Sequence, residues 1–292
     1  MDPLDVSVII VSYNTADFIG MCLESLGPER GPSREVFVID NASGDGSAEI
    51  VRGRYPWVHL IANGRNRGFA AANNQALPLC RGRYLFFLNP DALLVGKEAL
   101  MDCIQFMDVN PGVGLAGTRL TNPDGSLQES VSRRYPGQRF AGPEMDGMKG
   151  AIACVQGSSM IARTELIRRI GGFDEDFSLY GEDQDLCLRV RREGYEIGYI
   201  DSVNVVHYGG QSERQSGQAE VWKKKTRAEY LFYRKHYRPQ VIGRIRRADL
   251  LKACFRIATL TLAMHLIGDR ERAEGKRTKY RAIYEVLKPM RW

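Results

Sequence analysis

Short runs of continuous apolar residues alternate with amphipathic stretches over the first ninety positions. Val6-Ser-Val-Ile-Ile-Val-Ser12 is dominated by β-branched residues and predicts a strand buried on both faces. Residues 16–26 carry helical spacing and stop at Gly27-Pro28. Glu35-Val-Phe-Val-Ile-Asp40 predicts a second buried strand, ending in a carboxylate. A helix over 47–54, a strand over 57–62 and an Ala-rich helix over 68–79 follow. Tyr84-Leu-Phe-Phe-Leu88 predicts a fourth strand, running into Asn89-Pro90-Asp91. This alternation predicts an α/β fold with a mostly parallel sheet and helices on both faces. In such sheets ligands lie beyond the carboxyl ends of the strands. Three polar clusters fall there: Ser12-Tyr13-Asn14, Asp40-Asn41 and Asn89-Pro90-Asp91.

The second half is less regular. Residues 118–132 read as a hairpin around Asn122-Pro-Asp-Gly125. Residues 133–150, rich in Gly, Pro and charge, read as a loop over the site. A strand is expected over 153–161, with Gly157-Ser158-Ser159 inside it, and a short helix over 163–170, stopped by Gly171-Gly172. Gly181-Glu182-Asp183 opens a helix reaching about residue 193, and 195–200 and 203–207 read as two short strands. From about residue 219 the pattern is helical to the end.

Composition adds limits. The chain has 292 residues, 43% apolar and 26% charged, which excludes a disordered or fibrous chain and allows a domain of about 200 residues with an appendage. Six scattered cysteines read as small buried hydrophobes in a reducing compartment. The acidic start Met1-Asp2-Pro3-Leu4-Asp5 does not look like a secretory signal, so a cytoplasmic location is expected. The net charge of +6 is unevenly spread. Residues 1–212 hold 20 Lys and Arg against 27 Asp and Glu, a net −7, whereas residues 213–292 hold 21 against 8, a net +13. The basic balance therefore belongs to a tail, which weakens the nucleic-acid reading that a pI near 9.0 invites.

Each candidate chemical group has a plainer alternative. Asp40 at a strand end could accept hydrogen bonds from a nucleotide, or merely shape an Asx turn. Asp91 could hold a divalent cation that binds a diphosphate, or complete a Pro-Asp turn. Glu182 and Asp183 at a helix start could supply a general base, or only favour the helix dipole. His207 after Val203-Asn-Val-Val206 could be a metal ligand or a satisfied structural histidine.

Taken together and in order, five segments resemble one family. They are Val8-Ile-Ile-Val-Ser-Tyr-Asn14, Val38-Ile-Asp-Asn-Ala-Ser-Gly-Asp-Gly-Ser47, Asn63-Gly-Arg-Asn-Arg-Gly-Phe69, Phe87-Leu-Asn-Pro-Asp91, and Gly171-Gly172-Phe173-Asp174-Glu175 through Tyr180-Gly-Glu-Asp-Gln-Asp-Leu186. Over about residues 5–212 the chain looks like a family 2 glycosyltransferase of GT-A fold, nearest to the bacterial rhamnosyltransferase-like branch. The resemblance implies an inverting, metal-dependent transfer of a sugar from a nucleoside-diphosphate donor to a glycan or polyprenyl-linked glycan in cell-surface polysaccharide synthesis. It implies that Asp40 binds the base, that Ser12, Tyr13 and Asn14 line the nucleotide pocket, and that Asn66 and Gly68 lie near ribose and diphosphate. It further implies that Asp91 and His207 hold Mg²⁺ or Mn²⁺, that Asp183 is the general base and that Glu182 beside it gives acceptor-site or structural support. Asn89 stands where the family's Asp-x-Asp motif has its first acid, and an amide is the weaker ligand for a hard cation.

Within that resemblance a UDP-linked donor competes with dTDP-rhamnose. A sugar nucleotidyltransferase would want a Gly-rich basic loop where Ser12-Tyr13-Asn14 stands, and a non-catalytic module would not need both Asp91 and Asp183. The expected organisation is a catalytic domain over 1–212 and a basic helical region over 213–292. The stretch 250–267 is interrupted by Lys252, Arg256 and His265, so it reads as an amphipathic helix at a membrane interface rather than a span. The alternatives are a helix packed on the body or on a second subunit. An anionic membrane surface, a peripheral place at the inner face of the cell membrane and a homo-oligomer are the partner expectations, with no nucleic acid.

Overall fold

β1 (Val6–Ser12) is buried at all seven positions, as a β-branched run between two neighbouring strands requires. It pairs in parallel with β2 (Arg34–Asp40) on one side and β4 (Tyr84–Leu88) on the other, and β3 (His59–Ala62) continues the parallel run beyond β2. The connecting helices are α1 (Ala16–Leu26), α2 (Ser47–Arg54) and α3 (Phe69–Ala76). The expected order of the first ninety residues therefore holds, with β3 starting two residues late and α3 ending three residues early. The structure, a computed structural model, describes residues 4–27, 31–210, 217–266 and 270–290.

The remaining strands complete one eight-stranded sheet and a two-stranded ribbon. They are β5 (Ala92–Leu94), β6 (Val113–Thr121), β7 (Val131–Ser132), β8 (Cys154–Val155), β9 (Ser159–Arg163) and β10 (Glu196–His207), with α4 (Ala99–Val109) between β5 and β6. The sheet order is β3-β2-β1-β4-β9-β6-β10-β5, and β7 pairs with β8. β9 is antiparallel to both β4 and β6, and β5 is antiparallel to β10, so the sheet is mostly parallel, as expected.

Four local readings need correction. Residues 153–161 form two strands, because the chain breaks at 156–158 and β9 leaves the ribbon for the main sheet. The strands expected at 195–200 and 203–207 are the single strand β10, whose register slips between Ile200 and Asn204 around the exposed Asp201 and Ser202. The turn at 122–125 forms, with Gly125 N–H donating to Asn122 O at 2.9 Å, yet its return arm makes only the bridge Thr121–Leu127 before pairing elsewhere. The loop expected at 133–150 holds α5 (Gln138–Ala141) and a 3₁₀ turn, Gly142–Met145.

Beyond these lie α6 (Thr164–Arg169), α7 (Glu182–Arg192), α8 (Gln218–His236), α9 (Pro239–Leu266) and α10 (Arg270–Leu287). The chain divides into two compact units. The first holds residues 1–135, 148–178 and 182–211 and contains the sheet; the second holds 136–147, 179–181 and 212–292. In the second unit Tyr230, Phe232, Tyr233 and Tyr237 pack as an aromatic core, and the Tyr237 hydroxyl donates to Pro136 O at 2.6 Å. No helix among the described residues is long and apolar enough to cross a membrane. Ile267, the last residue of the apolar stretch, lies outside the described residues.

Candidate active site

The order β3-β2-β1-β4 places a switch point between β1 and β4, where successive connections leave to opposite sides and the carboxyl ends open a crevice. The three polar clusters follow the adjacent strands β2, β1 and β4, so the sheet itself assembles them.

Asp40 ends β2 and is 3% exposed. Its Oδ2 accepts the Ser43 N–H at 3.0 Å, while its Oδ1 is buried and has no partner among the described residues. The Asx turn therefore uses one oxygen and leaves the other for a ligand. An unmade bond to a buried acceptor costs about 1–3 kcal/mol, which a donor from bound ligand would recover.

The loops beside Asp40 are tied to each other. Ser12 Oγ bonds Thr15 Oγ1 at 2.8 Å, Ser43 Oγ accepts the Asn14 N–H at 2.9 Å, and Asn14 Oδ1 accepts the Gly44 N–H at 2.9 Å. Tyr13 is half-buried between them. Asn41, which sequence reasoning passes over as part of the turn, organises the next loop: it donates to Asn66 Oδ1 at 2.9 Å and accepts the Arg67 N–H at 2.9 Å. Asn66 Oδ1 also accepts the Gly68 N–H at 2.9 Å, so that oxygen shapes the loop. Gly68 has φ +85°, and a Cβ there would stand 3.0 Å from Ser178 O, which restricts the position to glycine. The described non-glycine residues with left-handed backbone are Asn14, Ala42 and Tyr180, and each adjoins a loop that carries candidate residues.

Asp91 and His207 meet at the end of β4. Each is 6% exposed, and His207 Nε2 lies 3.5 Å from Asp91 Oδ1 and 3.3 Å from Asn89 Nδ2. Gln128, missed in the sequence because it sits in an unremarkable polar stretch, determines the histidine's state. Its Nε2 donates to His207 O at 2.6 Å and to Asn122 Oδ1 at 2.7 Å, two acceptors that fix the amide's orientation. Its Oε1 then faces His207 Nδ1 at 2.9 Å and must accept a proton from it. In the neutral imidazole the proton is therefore on Nδ1, and the Nε2 lone pair faces the Asp91 carboxylate. A carboxylate oxygen and an imidazole lone pair 3.5 Å apart are two of the donors that a divalent cation would need. No group of three His, Cys, Asp or Glu among the described residues is placed to hold a metal, so these two side chains alone would not complete a site.

Glu182 and Asp183 open α7, and the glycine turn before β9 holds the second of them. Gly157 N–H donates to Asp183 Oδ2 at 3.1 Å and Gln184 N–H to Oδ1 at 2.8 Å. The next residue of that turn, Ser158, accepts the Asn89 N–H on its carbonyl at 2.9 Å. One turn thus fixes both the loop that carries Asn89 and the Asp183 carboxylate. Burial raises the Asp183 carboxyl above its usual range, against the pull of these backbone donors. Glu182 Oε2 is buried without a partner among the described residues; burial, then the charge of Asp183, push its carboxyl up to about 8. Both carboxyls of the pair are therefore held above their usual range, with burial as the largest cause for each.

A raised carboxyl binds its proton more tightly folded than unfolded, so Glu182 should cost stability as pH rises from its ordinary 4.5 toward about 8. Melting temperatures from pH 5 to 8 should fall less steeply in Glu182→Gln than in the parent; equal slopes would contradict this assignment.

The family model for "Glycosyl transferase family 2" matches residues 7–171. Two curated relatives are the N-acetylglucosaminyl-diphospho-decaprenol L-rhamnosyltransferase of Mycobacterium tuberculosis and the rhamnosyltransferase WbbL of Escherichia coli. The first is 25% identical over 238 residues, 70% of this chain and 76% of the relative. The second is 26% identical over 247 residues, 77% and 92%. Among solved structures, the mannosyltransferase PcManGT from Pyrobaculum calidifontis in complex with GDP-Man and Mn²⁺ superposes with TM-score 0.61 at 20% identity, covering 97% of this chain and 86% of that one. That likeness shows the fold.

Proposed function

The chain belongs to glycosyl transferase family 2, and from that premise we propose that it transfers a sugar, L-rhamnose from a dTDP-linked donor, to a glycan or polyprenyl-linked glycan acceptor. The orphaned Oδ1 of Asp40 carries the donor part of this reading: a buried carboxylate oxygen at the switch point calls for the N–H of a pyrimidine base. The names of the two rhamnosyltransferase relatives support the sugar and, in the mycobacterial case, a lipid-linked acceptor.

Ser12, Tyr13 and Asn14 line the nucleotide side, with Asn66 and Gly68 shaping the loop toward the diphosphate. Asp91 and His207, with Asn89 beside them, would hold Mg²⁺ or Mn²⁺, and such an ion would offset charge on the departing diphosphate. Asp183 removes the proton from the acceptor hydroxyl as that oxygen bonds to the anomeric carbon. The bond from that carbon to the diphosphate oxygen breaks, and its electron pair leaves with the nucleoside diphosphate. Attack opposite the leaving group inverts the configuration. Catalysis is assigned to residues 1–212; residues 213–292 are assigned to the acceptor side, at the inner face of a membrane.

The test is a donor-hydrolysis screen across dTDP- and UDP-linked sugars with Mn²⁺ or Mg²⁺. Release of dTDP from dTDP-rhamnose, abolished by chelator, is expected. Preference for a UDP-sugar would replace the rhamnosyl reading, and no release from any donor would remove the transferase assignment for this site.

A further inference from the structure

α9 is apolar on two opposite faces. Val241, Ile242, Ile245, Ala253 and Leu260 are buried within the second unit. Opposite them, Leu251, Phe255 and Leu262 are 73%, 65% and 66% exposed, and the exposed Ala258 lies between them. At 3.6 residues per turn these four share a sector of about 60° with the exposed Arg244, and Arg247 flanks it. A solvated helix face would be polar, and among the described residues nothing covers this stripe.

The charges beside the stripe identify the cover. Arg244 donates to Phe140 O at 3.1 Å and Arg247 to Gly243 O at 3.2 Å, both neutral partners. Arg139 and Arg238 join Arg244 around a cavity of about 580 Å³ at the start of α9, and Arg139 is also felt by the Asp249 carboxyl. The only acid of α9, Asp249, points away from the stripe and accepts the Tyr230 hydroxyl at 3.0 Å. The segment bearing Arg139 is pinned, because Gly137 has φ +65° and a Cβ there would stand 2.7 Å from the Ile245 side chain.

We propose that this face of α9, basic at Arg244 and Arg247 and apolar from Leu251 to Leu262, is a docking surface for a bilayer rich in anionic phospholipid. Guanidinium groups pair with lipid phosphates, while Leu251, Phe255 and Leu262 enter the headgroup–acyl boundary. The apolar segment spans roughly 17 Å at 1.5 Å per residue, too short to cross a hydrocarbon core of about 30 Å and suited to lying in the interface. A second copy is the weaker occupant, because two units that each carry the +13 of residues 213–292 repel, whereas an anionic bilayer attracts. The proposal deepens the membrane-side reading of residues 213–292 and is independent of sugar transfer.

Full-length protein is sedimented with vesicles of phosphatidylcholine alone and of phosphatidylcholine with phosphatidylglycerol. Binding only to the anionic vesicles is expected, weakened by salt. Phe255→Glu should reduce it at least tenfold, and Arg244→Gln or Arg247→Gln roughly fivefold each. Melting temperature and donor hydrolysis in solution should not change, because these side chains are exposed and outside the site. Equal binding by parent and Phe255→Glu would overturn the proposal, as would equal binding to both vesicle types. A dimer in light scattering that Phe255→Glu converts to monomer would also overturn it, assigning the stripe to self-association. Loss of donor hydrolysis with vesicle binding intact would instead count against the catalytic reading alone.

Discussion

Asp183→Asn is expected to keep donor binding and to lower transfer by about 10²–10⁴-fold, the usual contribution of a positioned general base. The parent carboxylate is held by the Gly157 and Gln184 N–H groups. Burial lifts its proton affinity nonetheless, the direction that a proton acceptor needs. An amide keeps the shape and cannot accept that proton. Because one of its two ends is an NH₂, it also forfeits one of the two backbone bonds, so a modest fall in melting temperature is expected as well. The assay pairs product formation with calorimetric titration of donor. Near-parent turnover would sink the base assignment, and lost donor binding would show that the change reached the nucleotide side. A second consequence follows from the pair: without the charge of Asp183, Glu182 should ionise more readily, and the alkaline loss of stability should shrink.

The halves of the catalytic unit were unequally legible, for a physical reason. β1, β2 and β4 are buried parallel strands, so their sequences are continuous β-branched or aromatic runs, and the polar residues at their ends stand out against them. Asp40 and Asp91 were visible on that ground alone. β9 and β10 were misread because tertiary pairing decides them. A glycine turn within 156–158 lets the chain leave one sheet for another, and a register slip lets β10 carry Asp201 and Ser202 through its middle. Gln128 and Asn41 could not be found from type or spacing. Their importance lies in which acceptors fix each amide, and those come from residues up to 79 positions away. The apolar spacing around Leu251 and Phe255 was visible, yet only the fold shows that it faces solvent while a second apolar face packs inward. The split into two units follows the same rule: residues 136–147 join the C-terminal helices through contacts such as Tyr237 to Pro136, which no local pattern encodes.

Asp91→Ala is expected to lower kcat/KM by about 10²–10³-fold, the scale of losing several kcal/mol of charge stabilisation on a leaving diphosphate. The fold should tolerate it. Asp91 serves its neighbours through its backbone, whose carbonyl accepts the Tyr208 N–H at 3.0 Å, and alanine preserves that bond. What disappears is the oxygen facing His207 Nε2. Gln128 keeps the imidazole proton on Nδ1, so the lone pair would then face only the Asn89 amide, which lies 3.3 Å away with its own N–H groups. One imidazole and one amide are a poor set for a hard cation, so Mn²⁺ binding measured by electron paramagnetic resonance with nucleoside diphosphate present should weaken in parallel with activity. Asp91→Asn should resemble Asp91→Ala, because an amide is a weaker ligand than a carboxylate for a hard cation. Full activity of the parent in excess chelator would remove the ion from the mechanism. An Asp91→Ala variant that binds Mn²⁺ normally yet fails in transfer would move Asp91 from ion binding to direct contact with the donor.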